Sequence, residues 1–217
     1  MNNIDTRVIS KAENHIKGLL SGECTGHDWF HTQRVLKLAR KIAIKENEVN
    51  HLVLELAAIL HDIDDWKFNK GNVEVGANKA KSFLETLNLD DNTIAKVVDI
   101  IENSSFKGAN VSEKKLSIEG QILQDADRLD AMGAIGIARA FAYGGYRGQE
   151  IYNPEIKPKM HNTFEEYKNS KTTTINHFYE KLLLLEDKMN TKTGKKLARK
   201  RQKFMKIFLK QFYKDQM

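Results

Sequence analysis

His31, the adjacent pair His61-Asp62, and Asp127 combine two imidazoles with two carboxylates, a donor set suited to one divalent cation. Four protein ligands leave two positions of an octahedral ion open for water or a phosphate oxygen. Two carboxylates neutralise the ion without making the site strongly anionic, so an anionic substrate is still accepted and its phosphorus polarised. Mixed nitrogen and oxygen ligands suit Mn²⁺, Mg²⁺, Fe²⁺, Co²⁺ or Ni²⁺.

The setting of these residues asks for a cation as well. Leu52 to Leu60 is apolar on nearly every side, and Gln121 to Ala142 leaves little of its circumference polar, so both segments predict central helices. Yet the first runs into His61-Asp62-Ile63-Asp64-Asp65, and the second carries Asp125, Asp127 and Asp130. Carboxylates in a low dielectric are expensive, and those at a helix C-terminus also meet the negative end of the macrodipole. A bound cation removes both objections. His27 and His31 are four apart, which predicts one face of one helix, with Arg34 about a turn further on. His15, His51, His161 and His177 receive no metal role.

Apolar residues elsewhere recur at three- and four-residue spacing, which predicts an all-α protein. Expected helices run from Thr6 to Leu20, Gly26 to Lys45, Asn50 to Asp62, Val73 to Leu87, Asp91 to Asn103, Glu119 to Tyr143, Thr172 to Glu186 and Lys192 to Tyr213. Gly144 to Lys159 holds both prolines and reads as one long loop, either a lid or a surface excursion.

At 217 residues the chain is expected to form one domain, 1–217. Cys24 is its one cysteine, so no internal disulfide holds it, which suits a reducing compartment. With no secretory signal pattern and no apolar run of membrane-spanning length, a soluble cytoplasmic protein without a membrane partner is expected. The net charge is +6, but Lys192 to Lys214 alone contains ten Lys and Arg and no acid. The remaining 25 basic and 29 acidic residues leave the rest of the chain acidic.

The order His31, His61-Asp62, Asp127 resembles the pattern of the HD superfamily of metal-dependent phosphohydrolases. The strings His27-Asp28-Trp29-Phe30-His31-Thr32-Gln33-Arg34-Val35, Leu60-His61-Asp62-Ile63 and Gln124-Asp125-Ala126-Asp127-Arg128-Leu129-Asp130 are similar to its bacterial YedJ/YpgQ-like branch. Gly133-Ala134-Ile135-Gly136 and His177-Phe178-Tyr179-Glu180-Lys181 extend the likeness over most of the chain. The resemblance implies a single HD-domain helical bundle with His31, His61, Asp62 and Asp127 as metal ligands and Mn²⁺ as the favoured ion. It implies pyrophosphohydrolase action on nucleoside triphosphates; a nucleoside monophosphate phosphatase and a non-catalytic nucleotide- or nucleic-acid-binding module are the alternatives. Asp65 matches the acid that some members use on the attacking water, and its spacing puts it one turn from His61 and Asp62. Some relatives carry a further histidine near Asn103 to Lys107. This chain has none between His61 and His161, so one metal is expected and not two.

The leaving pyrophosphate needs cations, for which His27, Lys67, Lys70, Lys107 and Arg128 are the candidates. The basic C-terminal helix has an apolar stripe of Leu197, Phe204, Met205, Phe208, Leu209 and Phe212 that should dock on the domain. No aromatic residue is expected on its charged face, so a solvated surface is favoured over a nucleic-acid partner. A small nucleotide is the expected partner, and a homodimer is left open.

Overall fold

A computed structural model of the chain describes residues 3–64, 74–112 and 114–216. Asn50 opens α3 (His51–Leu60): its side chain accepts from the Val53 amide at 3.2 Å, satisfying one of the donors that every helix start leaves without an internal partner. From Val53 to Leu60 every residue is buried. That is the expected fate of a segment with no polar side, and α3 packs among α1 (Asn3–Leu20), α2 (Trp29–Ala43) and α5 (Asp91–Ser104). α4 (Glu74–Glu85) lies on α5. The Asn50 amide also donates to Glu119 Oε1 at 2.8 Å, tying the start of α3 to the first turn of α6 (Ile118–Asp130).

One charge does sit inside α3. Glu55 is 3% exposed, and Arg40 Nη2 donates to its Oε2 at 2.6 Å, so the buried carboxylate has a charged partner. The hydrogen bond to Glu55, outweighing the opposing effect of burial, holds the Arg40 guanidinium above its ordinary range.

The chain divides into two compact units, Met1–Phe106 with Glu113–Ala126 and Lys107–Ser112 with Asp127–Met217. The division falls inside α6, a continuous helix. The second unit holds α7 (Gly133–Tyr146), α8 (Phe164–Asn169), α9 (Thr174–Glu180) with a 3-10 turn at Leu182–Leu184, and α10 (Lys192–Lys214). α7 packs on α9 and α10. Phe141, Phe178 and Phe208 join these three helices, with ring centroids 5.7 to 6.2 Å apart. Among the described residues every regular element is helical, as periodicity predicts, and no helix is long and apolar enough to cross a membrane.

Three expectations are corrected. The single helix from Glu119 to Tyr143 is two helices, because the chain turns at Ala131-Met132 and re-enters at Gly133 with φ +72°. Apolar periodicity runs straight through this break and hides it. The telling residue is Gly136: a Cβ there would lie 2.2 Å from the Ala131 carbonyl oxygen, so only glycine allows the turn to fold so tightly. Gly136→Ala is therefore expected to lower unfolding stability by about 3 kcal/mol in urea titrations, since the obstacle is backbone that cannot rotate away.

α7 is, moreover, not a buried helix: Ala134, Ile135, Ala138 and Ala142 are exposed, Ile135 by 45%. Phe204, expected in the apolar stripe of the last helix, is 49% exposed. The long loop is a surface excursion along α9: the Thr174 and Ile175 amides donate to the Glu150 and Ile151 carbonyls at 3.0 Å, and Asn176 Nδ2 to the Ile156 carbonyl at 2.7 Å.

Candidate metal centre

Asp28 decides where α2 begins. Its Oδ1 accepts from the His31 amide at 2.7 Å, an N-cap bond that sets the first helical turn and with it the position of His31, which is fully buried. His27 therefore precedes the helix, and the expectation that it shares a helical face with His31 is corrected. The cap preference of Asp28 overrides the four-residue spacing. His27 nevertheless stays close: its ring centroid is 6.0 Å from that of His31, its Nδ1 lies 3.1 Å from Thr25 Oγ1, and its amide donates to Glu23 Oε2 at 3.0 Å.

His61 caps the other end of α3. Its Nδ1–H donates to the Ala58 carbonyl at 2.9 Å, which fixes the tautomer and turns the lone pair of Nε2 outward. That Nε2 is 3.2 Å from His31 Nε2. Asp62 Oδ2 stands 3.2 Å from His31 Nε2 and 3.5 Å from His61 Nε2. Burial pushes the Asp62 carboxyl up, but His61, His31 and His27 together more than reverse this and hold it well below the usual carboxylate range.

Asp127 follows Ala126 on α6, and one ligand atom each from His31, His61 and Asp127 fall within 4.8 Å of one another. Neighbouring ligands of an octahedral ion with bonds of about 2.1 Å are about 3 Å apart, a spacing that the 3.2 Å between His31 Nε2 and His61 Nε2 matches. Two imidazole nitrogens and a carboxylate are also the chemistry that such an ion selects. His31, His61 and Asp127 could thus hold a divalent metal.

The turn that carries His61 and Asp62 is braced from α4. Lys79 forms an ion pair with Asp64, and a Cβ on Gly76 would fall 2.7 Å from the Asp64 carbonyl oxygen, so glycine permits the close approach. Lys107 is half-buried. Arg128 is 4% exposed and donates to the Lys188 carbonyl. Asp130, equally buried, accepts from Arg139 Nη1 at 3.1 Å, while Asp125 is fully buried. Asp65, Lys67 and Lys70 lie outside the described residues. Sequence reasoning missed Asp28 and the Ala58 carbonyl. The first was available, since an Asp three residues before a buried helical position is an N-cap signal.

The family model of the HD domain matches residues 29–132, a span that contains His31, His61, Asp62 and Asp127. The chain belongs to the HD domain family and is a hydrolase of that type. Within the family it is similar to YpgQ of Bacillus subtilis, with 36% identity over 201 residues that cover 92% of this chain and 89% of YpgQ. The crystal structure of YpgQ in complex with ADP superposes with a TM-score of 0.76 at 33% identity, over 98% of this chain and 96% of that one. A solved structure from Lactobacillus plantarum matches with a TM-score of 0.88 and 38% identity, covering 99% and 98% of the two chains. An HD-superfamily hydrolase from Bacillus thuringiensis matches with a TM-score of 0.72 and 39% identity, covering 97% of each chain.

Proposed function

We propose that this chain is a metal-dependent nucleoside triphosphate pyrophosphohydrolase that yields a nucleoside monophosphate and pyrophosphate. The observation that carries the reading is the convergence of His31 Nε2 and His61 Nε2 at 3.2 Å, with Asp62 Oδ2 against both. Four ligands are proposed, His31, His61, Asp62 and Asp127, for one ion, Mn²⁺ by preference. A nucleotide substrate is supported by the ADP bound to YpgQ. When bound, the ion supplies Lewis-acid polarisation of phosphorus and a lowered pKa for the attacking water.

The chain's own groups do the rest. The Ala58 carbonyl orients His61, and the cap on Asp28 orients His31. Asp65 takes the proton of the water as its oxygen attacks the α-phosphorus, while the bond from that phosphorus to the bridging oxygen of the β-phosphate breaks. His27, Lys67, Lys70, Lys107 and Arg128 offset the charge that develops on the departing pyrophosphate. Residues 1–217 act together as one cytoplasmic HD phosphohydrolase domain.

Product analysis tests the assignment. With dATP and Mn²⁺, dAMP and pyrophosphate are expected in equal amounts by chromatography. Release of inorganic phosphate without pyrophosphate, or turnover confined to nucleoside monophosphates, removes the pyrophosphohydrolase reading in favour of a phosphatase. Nucleotide binding with no turnover at all replaces it by a non-catalytic module.

A further inference from the structure

α10 carries ten Lys and Arg and no acid. Its apolar side is already used within the second unit, where Ala198, Met205 and Leu209 are buried and the helix packs on α7. The cations therefore fill the opposite side. Among the described residues none of the eight lysines of α10 meets a carboxylate; Arg199 lies 3.4 Å from Glu186, and Arg201 donates to the Leu129 carbonyl.

Arg199, Lys203, Lys206 and Lys210 are exposed and follow one another at spacings of four, three and four residues, so they form one stripe about 16 Å long. Like charges at these spacings repel and weaken a helix, and of the four only Arg199, 3.4 Å from Glu186, meets an opposite charge among the described residues. The same four residues line a groove of about 450 Å³, with Glu186, Gln202 and Ile207 completing its wall. Gln202 supplies an independent observation. It is 8% exposed, and its buried Oε1 has no hydrogen-bond partner. An amide oxygen left so is costly unless a donor reaches it.

We infer that this groove binds single-stranded nucleic acid, the cations tracking the phosphodiester backbone and Gln202 accepting from an unpaired base. Phosphate alone answers half of the site, because it neutralises lysines but offers Oε1 no donor. A base N–H does both when joined to a backbone. In a duplex the Watson–Crick edges of the bases are already paired with one another, so those edges have no free donor to offer a buried acceptor. An anionic bilayer is disfavoured because a helix that lies in a membrane interface inserts its apolar face, and here that face is buried in protein. The half-exposed Ile207 offers apolar contact to a base, as single-strand grooves do with larger side chains.

The test is fluorescence anisotropy of labelled (dT)20 with the full chain at 50 mM salt, against a blunt 20-base-pair duplex, inorganic triphosphate and phosphatidylglycerol vesicles. Binding of (dT)20 is expected with a slope of log K on log salt of about −2.8, four phosphates at about 0.7 each. K203E/K206E is expected to lose at least about tenfold in affinity and about half of that slope, with unchanged circular dichroism and unchanged dATP turnover. Gln202→Leu, which removes the acceptor and keeps the volume, is expected to weaken (dT)20 about threefold or more without lowering the melting temperature. The inference is overturned if the parent chain fails to bind (dT)20, binds the duplex or triphosphate as tightly, or prefers the vesicles. It is overturned equally if K203E/K206E binds unaltered.

Discussion

Asp62→Ala is expected to take up no stoichiometric Mn²⁺ and to hydrolyse nucleotide at least about 10³-fold more slowly than the parent chain. Asp62 Oδ2 lies within 3.5 Å of both imidazole Nε2 atoms, so the substitution takes a carboxylate from directly beside them. Loss of the side chain leaves the two Nε2 atoms 3.2 Å apart without the anion beside them that draws a cation. Asp62→Asn keeps the shape and one oxygen, so its metal affinity should fall while some binding remains. Isothermal titration with Mn²⁺ and single-turnover hydrolysis separate the two variants. Undiminished metal binding by Asp62→Ala would refute the ligand assignment.

Stripping the metal with EDTA is expected to end turnover and to lower the thermal midpoint by about 5–10 °C, both reversed by Mn²⁺. An ion present at a hundred times its dissociation constant stabilises the folded state by about 2.7 kcal/mol, and each kcal/mol moves the midpoint of a chain this size by about 2–4 °C. The metal-free protein should also show the signature of Asp62. Its carboxyl is held well below the ordinary value of about 3.9 when folded, so the unfolded chain takes up the proton first as pH falls. The stabilisation is complete above that ordinary value and is lost progressively below it. Urea midpoints of parent and Asp62→Asn measured from pH 6 down to pH 3 should therefore converge. Parallel curves would show that the histidines do not hold Asp62 in its charged form.

The candidate metal ligands were legible because their chemistry conflicts with their surroundings. A run such as Leu52 to Leu60 announces burial through composition alone, and a His-Asp pair at its end then stands out as a charge that needs an answer. The all-α architecture was legible for the same reason, since three- and four-residue periodicity is a local property. What escaped is geometry that periodicity does not encode. The break between α6 and α7 rests on the missing side chain of Gly136, and the exposure of Ile135 and Phe204 depends on which other helices are present to cover them. Glu55 is a further case: a lone acid in an apolar helix reads as a surface position until Arg40, fifteen residues earlier, is brought to 2.6 Å. The four-residue spacing predicts the right neighbour for His27 but not its cause, because a cap at Asp28 and not a helical turn sets its distance from His31.

His61 ends a helix with one edge of its ring and offers a donor atom with the other. The Ala58 carbonyl is among the last four of α3, groups that a helix leaves without internal partners, and the imidazole N–H at 2.9 Å supplies one. Two selective demands thus meet in one side chain. Asparagine can satisfy the carbonyl and not the ion; cysteine can take the ion and leave the carbonyl bare in a buried place. Drift at this position is closed in both directions for as long as an ion is to be held there.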